Sequence, residues 1–318
     1  MTTLLPVARA ADLDPGPPDR RWLIDELWAD EAVGIVGGEP KCYKSFLALD
    51  MAVAVAGGVP CLRRFRTAQT GRVLLFAAED ALHVVRRRLA GLAGAAGLEL
   101  ADLDIHVITA PSVRLDVERD RDRLADTIAT LRPKLLILDP FVRLHRIDEN
   151  ASGEVAPLLA YLRELQRRFH LAVLLVHHAR KGGGKMRGGQ ALRGSSEFHA
   201  WGDSNLYLRR HGDQLTLTVE HRAAPSIAAV PLQLEIAGDA VALVVSGHGE
   251  PIAELAPVSP LTTEQKIEQH LSAAAAPLSI AELRKLCRTR NATLTTTLAA
   301  LVAAGRIHRD AAGYAITR

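Results

Sequence analysis

A chain of 318 residues is long enough for one large α/β domain and a smaller second domain. The formal net charge is only +3, so composition gives no whole-chain signature of a nucleic-acid binder, and any basic surface must be local. Aromatic residues make up 4% of the chain, which argues against a platform of stacked bases as the main binding mode.

The three cysteines, Cys42, Cys61 and Cys287, are widely spaced and odd in number. Their spacing matches neither a metal site nor a disulfide framework, which favours a reducing compartment. The proline-rich segment 1–20 has acidic residues where a signal peptide would need an apolar run, and no stretch reaches about 18 apolar residues. We therefore expect a flexible N-terminal segment over residues 1–20 and a cytoplasmic protein with no membrane partner.

Short apolar runs alternate with helical patterns through the first half of the chain. Continuous apolar runs separated by helices are typical of a parallel sheet covered on both faces. The predicted elements, in chain order, are a strand at 32–37, a helix at 46–56, a strand at 73–78, a helix at 81–92, a strand at 135–138, a helix at 155–169 and a strand at 171–176.

The pattern changes at about residue 204, where alternating strands joined by turn pairs begin. These strands, predicted at 205–209, 214–220, 230–236 and 241–245, indicate an antiparallel extension of the same sheet.

The first predicted strand leads into GGEPKCYKSF, residues 37–46, and then into a helix. A phosphate-binding loop of the pattern GxxxxGK(S/T) requires this context, and Gly38, Lys44 and Ser45 match it. Backbone N–H groups would bind the phosphates, Lys44 would reach the β and γ phosphates, and the Ser45 hydroxyl would hold magnesium. Tyr43 stands where the pattern has its second glycine, and a side chain there could crowd the nucleotide. A plain strand-to-helix turn is the alternative. The candidate nucleotide-binding residues are Gly38, Glu39, Pro40, Lys41, Cys42, Tyr43, Lys44 and Ser45.

Acidic residues follow two of the later strands: Glu79 and Asp80 after one, and Asp139 after four apolar residues of another. Because ligands of parallel sheets bind at the carboxyl ends of the strands, Asp139 can bind magnesium and Glu79 can activate an attacking water. Taken singly, Asp139 could be a strand-end turn residue and Glu79 an acid favoured by a helix dipole. Their order along the chain favours the functional interpretation.

The ordered set of segments resembles the RecA-like ATPases related to the plasmid replication helicase RepA and, more distantly, the replicative helicase DnaB. The resemblance covers residues 21–236. It rests on WLIDELW, GEPKCYKSFLALDMA, VLLFAAEDALHVVRRRL, LLILDPFVRLH, LAVLLVHHARK and RGSSEFHAWGDSNLYLRR. It implies a RecA-like parallel sheet with an antiparallel extension, ATP and Mg²⁺ as cofactors, and a homo-oligomer, expected as a hexameric ring.

The resemblance also implies catalytic roles for three residues. The acid that ends the second strand acts as general base in that group, which corresponds to Glu79. A polar residue ending the strand after Asp139 senses the γ-phosphate, and we favour His178, with an ordinary core histidine as the alternative. Related helicases place Lys-x-Arg where it reaches the neighbouring subunit's nucleotide. Arg222 matches the arginine, and Glu220 departs from the pattern at the lysine position.

A glycine-rich basic segment at 179–195 could hold DNA, since it carries five cationic residues, six glycines and no acid. Such a segment suits a phosphate backbone passing through a ring, and in RecA-like proteins the equivalent loop contacts DNA. A solvated loop without a ligand is the alternative. The candidate DNA-binding residues are Arg180, Lys181, Lys185, Arg187 and Arg193.

The C-terminal segment 262–318 predicts three helices, at 263–273, 279–287 and 291–304, followed by a hairpin. Ser279 and Glu282 have the spacing of a capping box. This is the layout of a winged helix, whose third helix enters the major groove of duplex DNA. Eight Lys or Arg and four Asp or Glu give the segment a net charge of +4. A protein-docking role is the alternative.

We therefore predict a RecA-like ATPase domain over residues 21–245, a linker over 246–261 and a winged-helix domain over 262–318. The predicted function is an ATP-hydrolysing motor on DNA, either a replicative-type helicase or a DNA-remodelling ATPase of a mobile or integrated element. Tyr43 and Glu220 favour a first alternative, a nucleotide-gated DNA-binding regulator with little hydrolysis. A second alternative is a RecA-like scaffold or signalling ATPase whose winged helix docks protein.

Overall fold

The computed structural model describes residues 7–13, 22–178, 197–238, 240–246, 263–274, 277–287, 291–310 and 313–316. The chain divides into two compact units, residues 1–253 and 254–318. Most of the predicted N-terminal segment and nearly all of the predicted linker lie outside the described residues. Within the described ranges, no helix is both long enough and apolar enough to cross a membrane.

The first unit is built on one large mixed sheet. The strands of this unit are β1 (Trp22–Ile24), β2 (Trp28–Ala29), β3 (Val33–Gly38), β4 (Val73–Ala77), β5 (Ile105–Val107), β6 (Leu135–Asp139), β7 (Ala172–His178), β8 (Ser204–His211), β9 (Gln214–His221), β10 (Ile227–Ala237) and β11 (Ala240–Val245). Strands β3 to β11 form a nine-stranded sheet in the order β11-β10-β9-β8-β3-β7-β6-β4-β5, while β1 and β2 pair as a separate hairpin.

Helices cover both faces of this sheet, as the continuous apolar strands require. They are α1 (Lys44–Gly57), α2 (Leu82–Ala95), α3 (Glu118–Leu131), α4 (Ser152–Phe169) and α5 (Glu197–Trp201). Helices α1 and α2 pack in one apolar core, which includes Leu47 and Leu89. Helices α3, α4 and α5 pack in a second core, which includes Ile128, Leu162 and Phe198.

The predicted parallel sheet with an antiparallel extension is confirmed, with one change at the junction. Strand β8 pairs in parallel with β3, so the antiparallel part begins one strand later, between β8 and β9. An alternating pattern cannot distinguish these arrangements, because strand direction depends on a partner distant in sequence.

Five short or strongly charged stretches form elements that the pattern did not predict. Strands β1, β2 and β5 have only two or three residues each. Helix α3 has the sequence ERDRDRLADTIATL and buries only Leu124 and Ile128, so it lacks the wide apolar stripe on which helix prediction depends. Helix α5 is a single five-residue segment.

The second unit contains the three predicted helices and the predicted hairpin in the predicted order. They are α6 (Thr263–Ala273), α7 (Ile280–Cys287), α8 (Asn291–Ala303), β12 (Ile307–Arg309) and β13 (Tyr314–Ile316). A separate core, which includes Ile267, Leu283 and Leu298, joins the helices. The capping box is confirmed, because Glu282 accepts hydrogen bonds from the backbone N and the hydroxyl of Ser279 at 2.8 and 2.7 Å. The assignment as a winged helix stays a prediction.

Candidate functional site

The carboxyl ends of β3, β4, β6 and β7 meet at one edge of the sheet, which we call the carboxyl edge. Gly38 pairs with His178, and Ala77 pairs with Asp139. The candidate phosphate loop leaves β3 at this edge, and Glu79 lies two residues beyond the end of β4. The sheet register therefore brings the predicted loop, the two acids and the histidine to the same edge.

Lys44 is the first residue of α1, and its side chain is buried. Its Nζ donates a hydrogen bond to the carbonyl oxygen of Glu39 at 2.8 Å. Burial lowers the pKa of Lys44, and the carboxylates of Asp139 and Glu79 act in the opposite direction. A buried ammonium group at the start of a helix, where backbone N–H groups lack helical partners, suits the binding of a phosphate.

Tyr43 occupies the glycine position of the loop in a left-handed backbone conformation, with φ 59° and ψ 27°. Glycine adopts this conformation without cost, whereas other residues pay about 1–2 kcal/mol. The ring makes two contacts at the loop: it meets the Phe46 ring edge-on at 6.0 Å, and the Arg210 guanidinium lies 5.0 Å from its centre. Contacts of these kinds are each worth about 0.5–1 kcal/mol and offset much of the backbone cost. The loop thus keeps the glycine-like conformation with a tyrosine.

Asp139, the last residue of β6, has a buried carboxyl group that is hydrogen-bonded to the side chain of Ser45. The pKa of Asp139 is raised to about 6, chiefly by burial and also by the carboxylates of Asp80 and Glu79, although Ser45 and Lys44 act in the opposite direction. A carboxylate and a hydroxyl side by side are hard oxygen donors, and magnesium prefers such donors together with phosphate and water oxygens. Ser45 and Asp139 therefore fit a magnesium ion bound with a nucleotide.

Glu79 is half-exposed, and its carboxylate forms an ion pair with Arg143. The distance from Arg143 Nε to Glu79 Oε1 is 2.8 Å. Arg143 lies in a short 3₁₀ helix, Phe141–Arg143, that follows β6. The candidate general base therefore has a cationic partner, and that partner follows Asp139 by only four residues.

The two histidines that end β7 lie on opposite faces of the sheet. His177 is buried between the rings of Phe141 and Phe198, with ring centres 6.2 and 4.3 Å away, and burial lowers its pKa to about 4. Val176, on the face of His178, belongs to the core that contains α1, the helix after the phosphate loop. His178 therefore shares a face with α1, and His177 is the core histidine.

Arg222 lies at the edge of the sheet opposite to the carboxyl edge. Its backbone N donates to the Asp203 carbonyl at 2.9 Å, and Asp203 N donates to the Val33 carbonyl at 2.7 Å. Val33 begins β3 and Gly38 ends it, which separates Arg222 from the loop by roughly 16 Å at a rise of about 3.3 Å per residue. The Arg222 guanidinium is 3.6 Å from the Asp203 carboxylate and also donates to backbone carbonyls at the end of α5. Arg222 therefore does not reach the phosphate loop of its own chain.

Two other predictions concern the segment 179–195, which follows β7, and Glu220 of β9. The five candidate DNA-binding residues of 179–195 lie outside the described residues. Glu220, at the lysine position of the helicase pattern, faces His199 of α5, with 3.7 Å from its carboxylate to the ring Nδ1.

Sequence reasoning did not find three arginines at the carboxyl edge. Arg143 pairs with Glu79, Arg210 lies over the Tyr43 ring, and Arg88 pairs with Asp80. All three lie in segments that carry the family resemblance, but their spacing from the phosphate loop follows no motif that would assign them a role.

The sequence profile of the AAA domain family matches residues 2–184, more than half of the chain. The chain belongs to the AAA domain family. Within this family the protein is a RecA-like P-loop ATPase. The solved structure of the RadB recombinase is similar to this AAA protein at 15% sequence identity, covering 65% of this chain and 88% of that chain, with a TM-score of 0.49.

Substitutions of Tyr43 test its left-handed conformation. Tyr43→Gly loses the ring contacts but also the backbone cost, so we expect a small change in stability. Tyr43→Ala loses the same contacts and keeps the cost, so it should be less stable than Tyr43→Gly by about 1 kcal/mol. Urea unfolding of both variants measures the difference, and an alanine variant as stable as the glycine variant would contradict the assigned conformation.

The raised pKa of Asp139 makes the stability of the ligand-free protein depend on pH. Its folded pKa of about 6 exceeds the ordinary 3.8, so the ionised carboxylate disfavours folding above about pH 6, and this cost disappears as pH falls towards 4. Asp139→Asn should therefore stabilise the ligand-free protein by up to about 3 kcal/mol at pH 8 and by little at pH 4.

Denaturant unfolding at several pH values, without magnesium or nucleotide, measures this difference. The control is Asp126→Asn, which changes an exposed aspartate of α3. An Asp139→Asn variant that is no more stable than the wild type at pH 8 would show that the carboxylate is not destabilising.

Proposed function

We propose that the protein is an ATP-driven motor that acts on DNA, as a replicative-type helicase or a DNA-remodelling ATPase of a mobile or integrated element. We propose that it works as a homo-oligomer, a hexameric ring by analogy with the helicases it resembles. In this proposal the nucleotide binds over residues 38–45, with Mg²⁺ at Ser45 and Asp139.

One observation carries the nucleotide part of the proposal. The side chains of Lys44 and Ser45 both interact with the buried carboxylate of Asp139 where α1 begins, and the half-exposed carboxylate of Glu79 acts on both Lys44 and Asp139. Buried charges are costly unless they are paired, and they are commonly retained where a ligand completes the site. A phosphate chain with a bound cation supplies the charges that this group lacks.

The residues divide the work of hydrolysis as follows. Lys44 and the N–H groups of the loop hold the β and γ phosphates, and Ser45 with Asp139 orients the magnesium ion. The magnesium ion, when bound, neutralises charge that develops on the phosphate oxygens. Glu79 takes a proton from the attacking water as the water oxygen bonds to the γ-phosphorus and the bond to ADP breaks. His178, on the face of α1, is proposed to sense the γ-phosphate.

Action on DNA rests on the resemblance and on charge. The segment 179–195 carries Arg180, Lys181, Lys185, Arg187 and Arg193 without an acid, and the C-terminal segment has a net charge of +4. Cationic segments bind DNA chiefly through phosphates. We propose that the first contacts single strands and that the second, as a winged helix, contacts duplex DNA.

A nucleotide-gated regulator remains the second candidate, and Glu220 favours it. In place of a lysine that would reach a neighbouring nucleotide, the chain has a carboxylate that faces His199. A site without that lysine can bind ATP and hydrolyse it slowly. Turnover of ATP by the purified protein, measured with and without DNA, separates the two: stimulation by DNA supports the motor, and DNA binding with negligible turnover supports the regulator. Turnover indifferent to DNA would favour a scaffold or signalling ATPase instead.

Two substitutions test the nucleotide site directly. Lys44→Ala should abolish nucleotide binding, because it removes the cation that holds the phosphates. Glu79→Gln should preserve binding and slow hydrolysis by at least about a hundredfold, as expected when a general base is lost. Equilibrium titration with a nucleotide and steady-state turnover measure the two effects.

Matched controls lie away from the carboxyl edge. Arg66→Ala removes an exposed cation that pairs with Asp25 at 2.7 Å, and Glu31→Gln changes a carboxylate that pairs with His170 at 3.0 Å. Both controls should bind and hydrolyse ATP like the wild type. Normal turnover by Glu79→Gln would show that Glu79 is not the base.

A mixing experiment tests Arg222 as an arginine that acts on the neighbouring subunit. Arg222→Ala and Lys44→Ala should each be inactive alone and regain partial activity together, because an intact loop can then meet an intact Arg222. Arg222 also forms an ion pair with Asp203, so a purely structural role is the competing explanation. A structural role predicts a lowered thermal midpoint for Arg222→Ala and no recovery on mixing.

A further inference from the structure

The ion pair between Glu79 and Arg143 connects the segment after β4, which holds the candidate general base, to the segment after β6, which ends in the candidate magnesium ligand. Glu79 follows β4 and Arg143 follows β6, 64 residues further along the chain. Among the ion pairs of the described residues, Arg143 is the partner of Glu79 and of no other acid. The pair spans the carboxyl edge beside Asp139.

Arg143 is attached to a firmly held turn. Its backbone N donates to the Pro140 carbonyl at 3.1 Å, and Leu144 N donates to the Phe141 carbonyl at 2.8 Å. Phe141 and Leu144 are fully buried, and Leu144 also accepts from Leu115 N at 2.6 Å. The turn therefore fixes the backbone position from which the exposed Arg143 side chain extends. This turn directly follows Asp139, the candidate magnesium ligand.

The pair contributes little to the stability of the fold. The side chains of Arg143 and Glu79 are 62% and 43% exposed, and ion pairs at such exposure are weak because water screens them. A glutamate side chain at the surface otherwise samples several rotamers. The main effect of Arg143 is therefore on the direction of the carboxylate.

We propose that Arg143 is a positioning residue for Glu79: its guanidinium holds the carboxylate in the orientation from which it accepts a proton from the attacking water. The proposal rests on the proposed function of Glu79 as general base. Arg143 acts on one oxygen of the carboxylate, Oε1, and leaves Oε2 available for the water. Because the turn that carries Arg143 also follows Asp139, the base and the magnesium ligand are held by one short segment.

The test compares Arg143→Ala and Arg143→Lys with a matched pair elsewhere. Arg66 pairs with Asp25 through the same kind of contact, Nε to Oδ2 at 2.7 Å, and its side chain is 73% exposed. This pair lies next to β1, and β2 contacts the start of β8 through the Ala29 N to Ser204 Oγ hydrogen bond. Arg66→Ala is therefore a control for the loss of an exposed arginine away from the carboxyl edge.

We expect Arg143→Ala to lower kcat on the order of tenfold with an unchanged KM for ATP and an unchanged nucleotide affinity, because a misdirected base impairs only the chemical step. Arg143→Lys should recover part of the loss. Arg66→Ala should keep the wild-type kcat, and the thermal midpoints of the three variants should be similar.

The decisive arm repeats Arg143→Ala in the Glu79→Gln background. If Arg143 acts through Glu79, the second substitution should cause no further loss of kcat. A further loss of similar size in the double variant would mean that Arg143 acts on the phosphates directly. A raised kcat in Arg143→Ala alone would mean that the ion pair restrains Glu79. Either result overturns the proposal. If Glu79→Gln itself turns over ATP normally, the proposed base fails instead, so the two failures are distinguishable.

Discussion

A parallel strand buried on both faces cannot carry a charged side chain along its length, because burying an unpaired charge costs far more than the strand gains. Strands β3, β4 and β6 obey this constraint, with apolar residues or glycine along their length and a charge only at Asp139, where β6 ends. The ionisable groups Lys44, Glu79 and Asp139 are therefore found at a strand end, in the loop after a strand or at the start of the helix that follows. The register of the sheet decides which of these groups become neighbours.

Burial at the edge also sets the chemical state of those groups. Asp139 and Lys44 are both buried and have pKa values displaced in opposite directions from their ordinary values, Asp139 upwards and Lys44 downwards. Each displacement means that the folded protein disfavours the charged form. A ligand that brings negative phosphates to Lys44 and a cation to Asp139 relieves both. Burial at this edge of the sheet therefore both shifts the two pKa values and favours a ligand that supplies the opposite charges.

The parallel sheet and the placement of Lys44, Ser45, Glu79 and Asp139 at one edge could be predicted, because they follow from apolar runs and from the residues that end them. Helix α3 could not, since two buried apolar residues in fourteen give no periodic signal. The direction of β8 and the partners of Glu79 and Tyr43 depend on residues far apart in sequence. Contacts of that kind leave no local pattern, so Arg143 and Arg210 were found only in three dimensions.

Tyr43 has a consequence for how phosphate loops are recognised. The glycine of a motif is a requirement for a backbone conformation, and here a tyrosine meets it with φ 59° while its ring rests against Phe46 and Arg210. A search pattern that demands glycine at this position passes over such a chain. A pattern that allows any residue there, provided that the neighbouring strand carries a cation near its end that can cover an aromatic ring, would include it.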